Sequence, residues 1–98
     1  MPESGAAGVD PALSEIRVTF SEPMRGGGWS WAKWDDGSFP IMTGQAKFLE
    51  DERTCVLPVR LQPGKVYALW LNSEHHQNFK NRSGQSAIPY LLIFETRK

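Results

Sequence analysis

Short segments in which apolar and polar residues alternate are the feature that most constrains how this chain can fold. Residues 15–20 show the pattern best, since Ile16, Val18 and Phe20 fall on one face and polar residues on the other. A period of two over such a run predicts a half-buried β-strand. Glycine and proline recur at short intervals along the 98 residues, and no long amphipathic helical segment lies between them. We therefore expect an all-β domain.

The alternating segments predict seven or eight short strands at spacings of about 8–12 residues, which is typical of a β-sandwich or β-barrel. Pro40 and Pro58 have no backbone N–H, so the strands that contain them are expected at a sheet edge or a bulge. We expect one domain over residues 1–98, with residues 1–8 as a flexible lead-in and residues 73–86 as a polar loop. The predicted strands cover residues 15–20, 29–34, 39–43, 45–50, 54–61, about 67–72 and 89–96.

The second arm of a predicted hairpin, residues 54–61, contains the single cysteine of the chain. Cys55 shares a face with Leu57, Val59 and Leu61, and this face is expected to lie in the core. A lone cysteine cannot form an internal disulfide, and in this position we expect a buried, unreactive thiol that packs as a small apolar group. The opposite face of the arm carries Thr54, Val56, Pro58 and Arg60.

The overall charge and hydropathy argue against two classes of partner. A formal net charge of zero leaves no basic stripe that would neutralise phosphates, so nucleic-acid binding is not expected as the main role. No apolar run approaches the roughly 20 residues of a membrane helix, so no membrane insertion is expected. Residues 1–8 have neither a basic start nor an apolar stretch, which predicts no signal peptide in this segment.

The most specific motif is a turn that joins Leu61, Pro63, Gly64 and Tyr67. In immunoglobulin-like (Ig-like) and fibronectin-like sandwiches, a tyrosine near the start of the penultimate strand bonds its hydroxyl to upstream backbone. Only one strand is predicted after Tyr67, so its position along the chain fits this tyrosine corner. We predict that the Tyr67 hydroxyl makes a hydrogen bond to backbone in the few residues before it.

Further residues on both sides of this corner follow a known pattern. The residues are Pro2, Gly5, Val9, Asp10 and Pro11, then Ile16, Val18, Phe20, Ser21, Pro23 and Met24, then Phe79 to Gly84, and Phe94, Glu95 and Thr96. With them the chain resembles bacterial Ig-like domains of the SbsA type over nearly its whole length. It departs from the family pattern in the tryptophan-rich residues 29–34, and Asn81 stands where an aspartate is commoner. The resemblance implies an Ig-like or fibronectin III-like sandwich that serves as a spacer or binding module in larger bacterial surface or secreted proteins, with no catalytic residues and no cofactor.

Residues with chemically active side chains form no arrangement typical of an enzyme or a metal site. Neighbouring His75 and His76 point to opposite faces of an extended chain, which suits a solvated loop better than a shared metal ion. Acidic residues at 35–36 and 50–52 lack the spacing of a calcium loop, and in turns they keep hairpin tips soluble. Residues 28–32 resemble a nucleophile elbow only faintly, because no helix is predicted after them.

The tryptophans are the candidate binding residues. If Tyr67 points inward, alternation places Ala68, Trp70 and Asn72 on the outer face, beside Leu91 or Ile93 of the last strand. Trp29 and Trp31 share one face of their strand, and we expect one of them to fill the core, whereas Trp34 takes the other face. An outward Trp70 has three interpretations: an interface to a protein or domain, a stacking platform for sugars, or a ring covered by long polar side chains.

The expected function follows from the fold and the resemblance together. The first hypothesis is a non-catalytic structural and interaction module within a larger, extracytoplasmic bacterial protein, whose partners are neighbouring domains or other proteins. The alternative is a carbohydrate-binding module that uses Trp70 and the Trp29, Trp31 and Trp34 strand to contact glycans. An enzyme is the least favoured class, because no acid, base and nucleophile are predicted to converge.

Overall fold

The computed structural model describes residues 2–25, 29–35, 37–73 and 77–98. These residues form eight strands and no helix, and so none that is long and apolar enough to cross a membrane. The strands are β1 (Ala6–Val9), β2 (Glu15–Thr19), β3 (Trp31–Lys33), β4 (Ile41–Met42), β5 (Lys47–Phe48), β6 (Thr54–Arg60), β7 (Val66–Leu71) and β8 (Tyr90–Thr96).

The strands form two packed sheets, in agreement with the prediction of an all-β domain. The first sheet has the order β1-β8-β7-β3, and the second has the order β2-β6-β4, with β5 also paired to β6. Neighbouring strands run antiparallel except for β1 and β8, which run parallel. The core lies between the sheets and draws most of its buried side chains from β6, β7 and β8.

The inward face of β6 is the one that the alternation predicts. Its side chains are fully or almost fully buried, and so are the inward side chains of β7 that face them across the core. Thr54 and Val56, on the opposite face of β6, are buried as well, because Arg17 of β2 and Lys47 of β5 stand on either side of Val56 in the sheet. The buried inward residues are Cys55, Leu57, Val59, Leu61, Tyr67, Leu69 and Leu71.

Residues 6–8 of the expected flexible lead-in belong to β1. Ala6–Val9 pairs with the end of β8, and the backbone N–H of Arg97 donates to the carbonyl of Val9 at 2.9 Å. Gly5 and Gly8 have φ angles of 86° and 71°, conformations that are open to glycine but strained for other residues. Gly8 lies within β1, and the pairing register shifts between Ala6 and Val9, so the strand geometry is irregular there.

The hydrogen bond predicted for Tyr67 is present. The backbone N–H of Gln62 donates to the Tyr67 hydroxyl at 2.8 Å, and the tyrosine is buried with its ring stacked on Phe94 at a centroid distance of 5.4 Å. Gly64, with a φ of 64°, turns the chain between Gln62 and Tyr67. The bond therefore ties the start of β7 to the turn that precedes it.

Alternation predicts that Asn72 points outward, but the residue is completely buried. Its φ of 60° lies in the left-handed region, so the strand period ends at Leu71 and the amide turns inward. The amide nitrogen donates to the carbonyls of Phe79 and Ala87, each at 3.0 Å, and the amide oxygen accepts from the backbone N–H of Phe79 at 2.9 Å. One side chain thus fixes two points of the connection from β7 to β8.

Phe79 lies in the predicted polar loop but is a core residue with no exposed surface. Its ring contacts the rings of Phe20, Trp31 and Phe48 at centroid distances of 5.2, 5.7 and 6.3 Å. This aromatic cluster closes one end of the sandwich and joins β3, β5 and the residues after β2. A single apolar residue among polar neighbours has no periodicity, so alternation does not predict the burial of Phe79.

We expect Tyr67→Phe to lower the free energy of unfolding by about 1 kcal/mol, because the backbone N–H of Gln62 loses its acceptor on the buried tyrosine. Urea unfolding monitored by tryptophan fluorescence measures this difference. Tyr90→Phe is the control, since Tyr90 is 49% exposed and its hydroxyl bonds to none of the described residues. Equal stability of the two variants would contradict the role given to the corner.

Removal of the Asn72 amide should cost more than removal of the Tyr67 hydroxyl. Asn72→Ala leaves the N–H of the buried Phe79 and the carbonyl of Ala87 without their partner, while the Phe79 carbonyl keeps its bond from the N–H of Ala87 at 2.8 Å, and we expect a loss of about 2–4 kcal/mol. The exposed Asn78→Ala change is the control and should alter stability by less than about 0.5 kcal/mol. Hydrogen exchange should show faster exchange of the Phe79 amide in the Asn72 variant, and unchanged exchange there would count against this network.

Candidate functional site

The outer face of the first sheet carries an apolar surface that we call the tryptophan face. It arises from simple alternation, because Tyr67, Leu69 and Leu71 of β7 point into the core and the residues between them point away. In the register of β7 and β8, Trp70 stands opposite Leu91 and Ala68 stands opposite Ile93. The tryptophan face consists of Trp34, Val66, Ala68, Trp70, Leu91 and Ile93.

Trp34 and Trp70 form the most prominent part of this face. Their ring centroids lie 6.2 Å apart at an interplanar angle of 38°, within the range of a favourable aromatic pair. Trp34 is 56% exposed, whereas Trp70 is partly buried beneath it. The sequence predicts an outward tryptophan and Leu91 or Ile93 beside Trp70. The structure places Trp34 and Leu91 beside it.

A tight turn after β3 holds Trp34 in position. The carboxylate of Asp35 accepts hydrogen bonds from the backbone N–H groups of Gly37 and Ser38 at 3.0 and 2.8 Å. Hydrogen bonds from the Ser38 side chain, and then from these backbone groups, hold the pKa of Asp35 below its usual value. The carbonyl of Ser38 accepts from the N–H of Ala68 at 3.0 Å, which fastens the turn to β7.

The outer face of the second sheet has a different character. Its strands present charged and hydroxyl side chains to solvent, together with one exposed apolar residue, Ile41 of β4. Charged side chains on an outer strand also discourage unwanted pairing with other sheets. The polar residues of this face are Glu15, Arg17, Thr19, Lys47 and Arg60.

The charges at the border of the tryptophan face are mainly acidic. Glu95 of β8 stands opposite Val66, and Asp35 follows Trp34 in the turn. Arg97 lies beyond Glu95, and its guanidinium is 3.4 Å from the carboxylate of Asp10, so this one cation at the border is accompanied by a further acidic group. In the part of the chain that the structure describes, this face therefore combines an apolar centre with a negative border.

Trp29 and Trp31 do not join the other two tryptophans. Both are partly buried against the core, and Trp31 meets Phe79 edge to face. The expectation that one of the pair fills the core is met most closely by Trp31. The remaining surface of both rings lines a groove of about 520 Å³ between β3 and β4, the outermost strands of the two sheets on this side. The four tryptophans thus belong to two separate surfaces.

Cys55 is buried, as predicted, and is the only cysteine of the chain. Burial raises the pKa of its thiol to about 11, well above the ordinary value of 9.0. The indole N–H of Trp31 opposes this rise by interacting with the sulfur, although no hydrogen-bond partner of normal length reaches that N–H among the described residues. A buried thiol with a high pKa is a poor nucleophile.

The carboxylate of Asp51 in the hairpin turn is occupied by structural hydrogen bonds. The Asp51 carboxylate accepts from the backbone N–H groups of Arg53 and Thr54, each at 2.9 Å, and from the Thr54 hydroxyl at 2.8 Å. Hydrogen bonding from Arg53 and then from Thr54 lowers the pKa of Asp51. Among the described residues, no three histidine, cysteine or acidic side chains come together in a way that would hold a metal ion.

Some residues considered in the sequence fall outside the described part of the chain. These are Gly28, which begins the faint nucleophile-elbow pattern, Asp36 of the first acidic pair, and the neighbouring His75 and His76. Comparison with known proteins found no family model, no curated protein and no solved structure that matches this chain.

We expect the native thiol to react slowly with a reagent such as dithiobis(nitrobenzoic acid), at a rate set by opening of the structure. Rapid labelling at pH 8 without denaturant would contradict the burial of Cys55. Cys55→Ser should lower the free energy of unfolding, because a hydroxyl replaces a small apolar group in the core.

The raised pKa also predicts a pH dependence of stability. The unfolded thiol loses its proton near pH 9, while the folded thiol keeps its proton to about pH 11. The neutral buried thiol therefore makes its full contribution to the free energy of unfolding below pH 9. It declines above that pH by up to about 1.4 kcal/mol per pH unit. Urea unfolding of wild type and Cys55→Ala at pH 8 and pH 10 isolates this contribution as the difference between the two proteins.

Proposed function

We propose that the chain is an Ig-like sandwich that acts as a non-catalytic interaction module. In Ig domains of the constant type one sheet holds the third, penultimate and last strands and the other holds the first, second, fourth and fifth. The order β3-β7-β8 corresponds to the first of these sheets, and the order β2-β6-β4 contains counterparts of the second, fifth and fourth strands, whereas β1 pairs in parallel with β8 instead of joining the second sheet. The Tyr67 hydrogen bond at the start of the penultimate strand supports the same assignment. The resemblance to SbsA-type domains is the basis for placing the module in a larger, extracytoplasmic bacterial protein.

The tryptophan face is the observation that carries this function. A tryptophan that is 56% exposed beside another tryptophan and aliphatic residues is costly to leave in water, and surfaces of this kind mark interaction sites. The polar outer face of the second sheet is the internal comparison, since it belongs to the same fold and has ordinary surface chemistry. The difference between the faces indicates which side of the domain meets a partner.

The partner that best fits the tryptophan face is a protein surface with an apolar centre and a basic border. Tryptophan and flanking aliphatic residues are typical of the central part of protein interfaces. Glu95 and Asp35 at the border favour lysine or arginine on the partner and disfavour a second copy of the same face. Sugar binding is less well served here, because a sugar needs polar groups for its hydroxyls and the neighbours of Trp70 on β8 are aliphatic.

A photo-crosslinking amino acid at position 34, introduced in the organism that makes the protein, tests this proposal. We expect crosslinks to one protein from position 34 and none from position 60, which lies on the outer face of the second sheet. Trp70→Ala should weaken that association by about tenfold or more while leaving the fold intact, since central aromatic residues dominate interface energies.

Mass spectrometry of the crosslinked peptide shows whether the contact surface is apolar with basic neighbours. Crosslinks from both positions alike, or from neither, would refute a partner on the tryptophan face. A crosslink between two copies of the chain, together with a dimer in sedimentation velocity, would refute the basic-bordered partner and assign the face to self-association.

A further inference from the structure

The groove between β3 and β4 is a second surface with its own chemistry. Its volume of about 520 Å³ lies within the range of about 300–1,000 Å³ that is usual for small-molecule sites. Neither Trp34 nor Trp70 contributes to it. The lining residues that matter here are Trp29, Trp31, Lys33, Met42, Ser73 and Asn78.

The lining is divided between apolar and hydrogen-bonding groups. Trp29 and Trp31 present aromatic surface, and Met42, which is 47% exposed, presents a flexible thioether side chain. Ser73 and Asn78 supply a hydroxyl and an amide, and neither side chain bonds to any residue that the structure describes. This mixture differs from the tryptophan face, where the side chains at the centre are apolar.

The aromatic and polar groups are held in place by the fold. Trp31 packs edge to face on the buried ring of Phe79 at 5.7 Å, and Trp29 packs against the same core. The backbone N–H of Asn78 donates to the buried hydroxyl of Ser30 at 2.8 Å, which fixes the backbone of Asn78 beside the start of β3. The groove is therefore built largely in advance, as small-molecule sites usually are.

We propose that this groove binds a short oligosaccharide. A pyranose ring has an apolar face of C–H groups and a rim of hydroxyls, so it needs an aromatic surface and hydrogen-bonding side chains together. Trp29 with Ser73 and Asn78 provides that combination. This inference does not rest on the tryptophan face and survives if that face binds nothing.

The test uses the 98-residue chain itself on an array of neutral and acidic glycans, followed by titration with the best glycan in solution. The indole N–H signals of the tryptophans are assigned in ¹⁵N spectra from single Trp→Phe variants. We expect the Trp29 signal to shift with saturation and the Trp34 and Trp70 signals to stay in place.

Two variants separate binding from folding. Trp29→Ala should weaken binding by about tenfold or more, because the stacking surface is lost. Asn78→Ala changes an exposed residue and should weaken it by a few fold while leaving stability unchanged, which keeps the test valid if the Trp29 variant unfolds. Trp34→Ala is the matched control and should bind as wild type does.

Three results would overturn the proposal. The first is an array with no binding above background for the folded protein. The second is binding that is lost in Trp34→Ala and kept in Trp29→Ala, which would move the sugar to the tryptophan face. The third is saturable shifts of the Trp29 signal by extended peptides and not by glycans, which would make the groove a site for strand addition to β3.

Discussion

The side chain of Asn72 makes three hydrogen bonds to the backbone that connects β7 to β8, and much of the molecule depends on them. Phe79 of this connection is fully buried at the end of the sandwich, where its backbone N–H would lack an acceptor without the Asn72 amide. The amide satisfies both backbone groups of Phe79 and the carbonyl of Ala87. Because Phe79 is held there, its ring can close the core against Trp31 and Phe20. The neutral amide of Asn72 thus allows aromatic side chains to close this end of the core.

Period-two alternation was sufficient to predict the two faces of β6 and β7, and with them the part of the core that these strands form. The inward residues of β6 and β7 and the outward position of Trp70 all follow from it, because both strands are long enough to show the pattern clearly. The turn before Tyr67 was predictable for a different reason. Proline, glycine and tyrosine at those positions specify a local geometry, so the hydrogen bond to Gln62 could be expected without knowledge of the rest of the fold.

The features that the sequence did not reveal depend on backbone conformation and long-range pairing. Asn72 follows the alternation of β7 in sequence, but a left-handed φ reverses the direction of its side chain. β1 is held by parallel pairing with a strand about 85 residues away, a contact for which short-range periodicity has no signal. The strands β4 and β5 have only two residues each, too few to predict their bounds. Alternation placed Trp34 on the face opposite to Trp29 and Trp31, but it could not tell which of those two tryptophans packs on Phe79, and the structure shows that it is Trp31.

Strand β3 has a part in both candidate surfaces, and this follows from its position at the edge of the first sheet. Trp31 points to the core and borders the groove, and Ala32 points outward beside Trp70. Trp34 then follows in the turn and pairs with Trp70 on the tryptophan face. An edge strand has one paired side, so β3 is positioned by its bonds to β7 and by the packing of Trp31 on Phe79. Since Asn72 holds Phe79, a change at this one buried amide would disturb the groove first, and the tryptophan face less, because the turn after Trp34 has its own bond to Ala68.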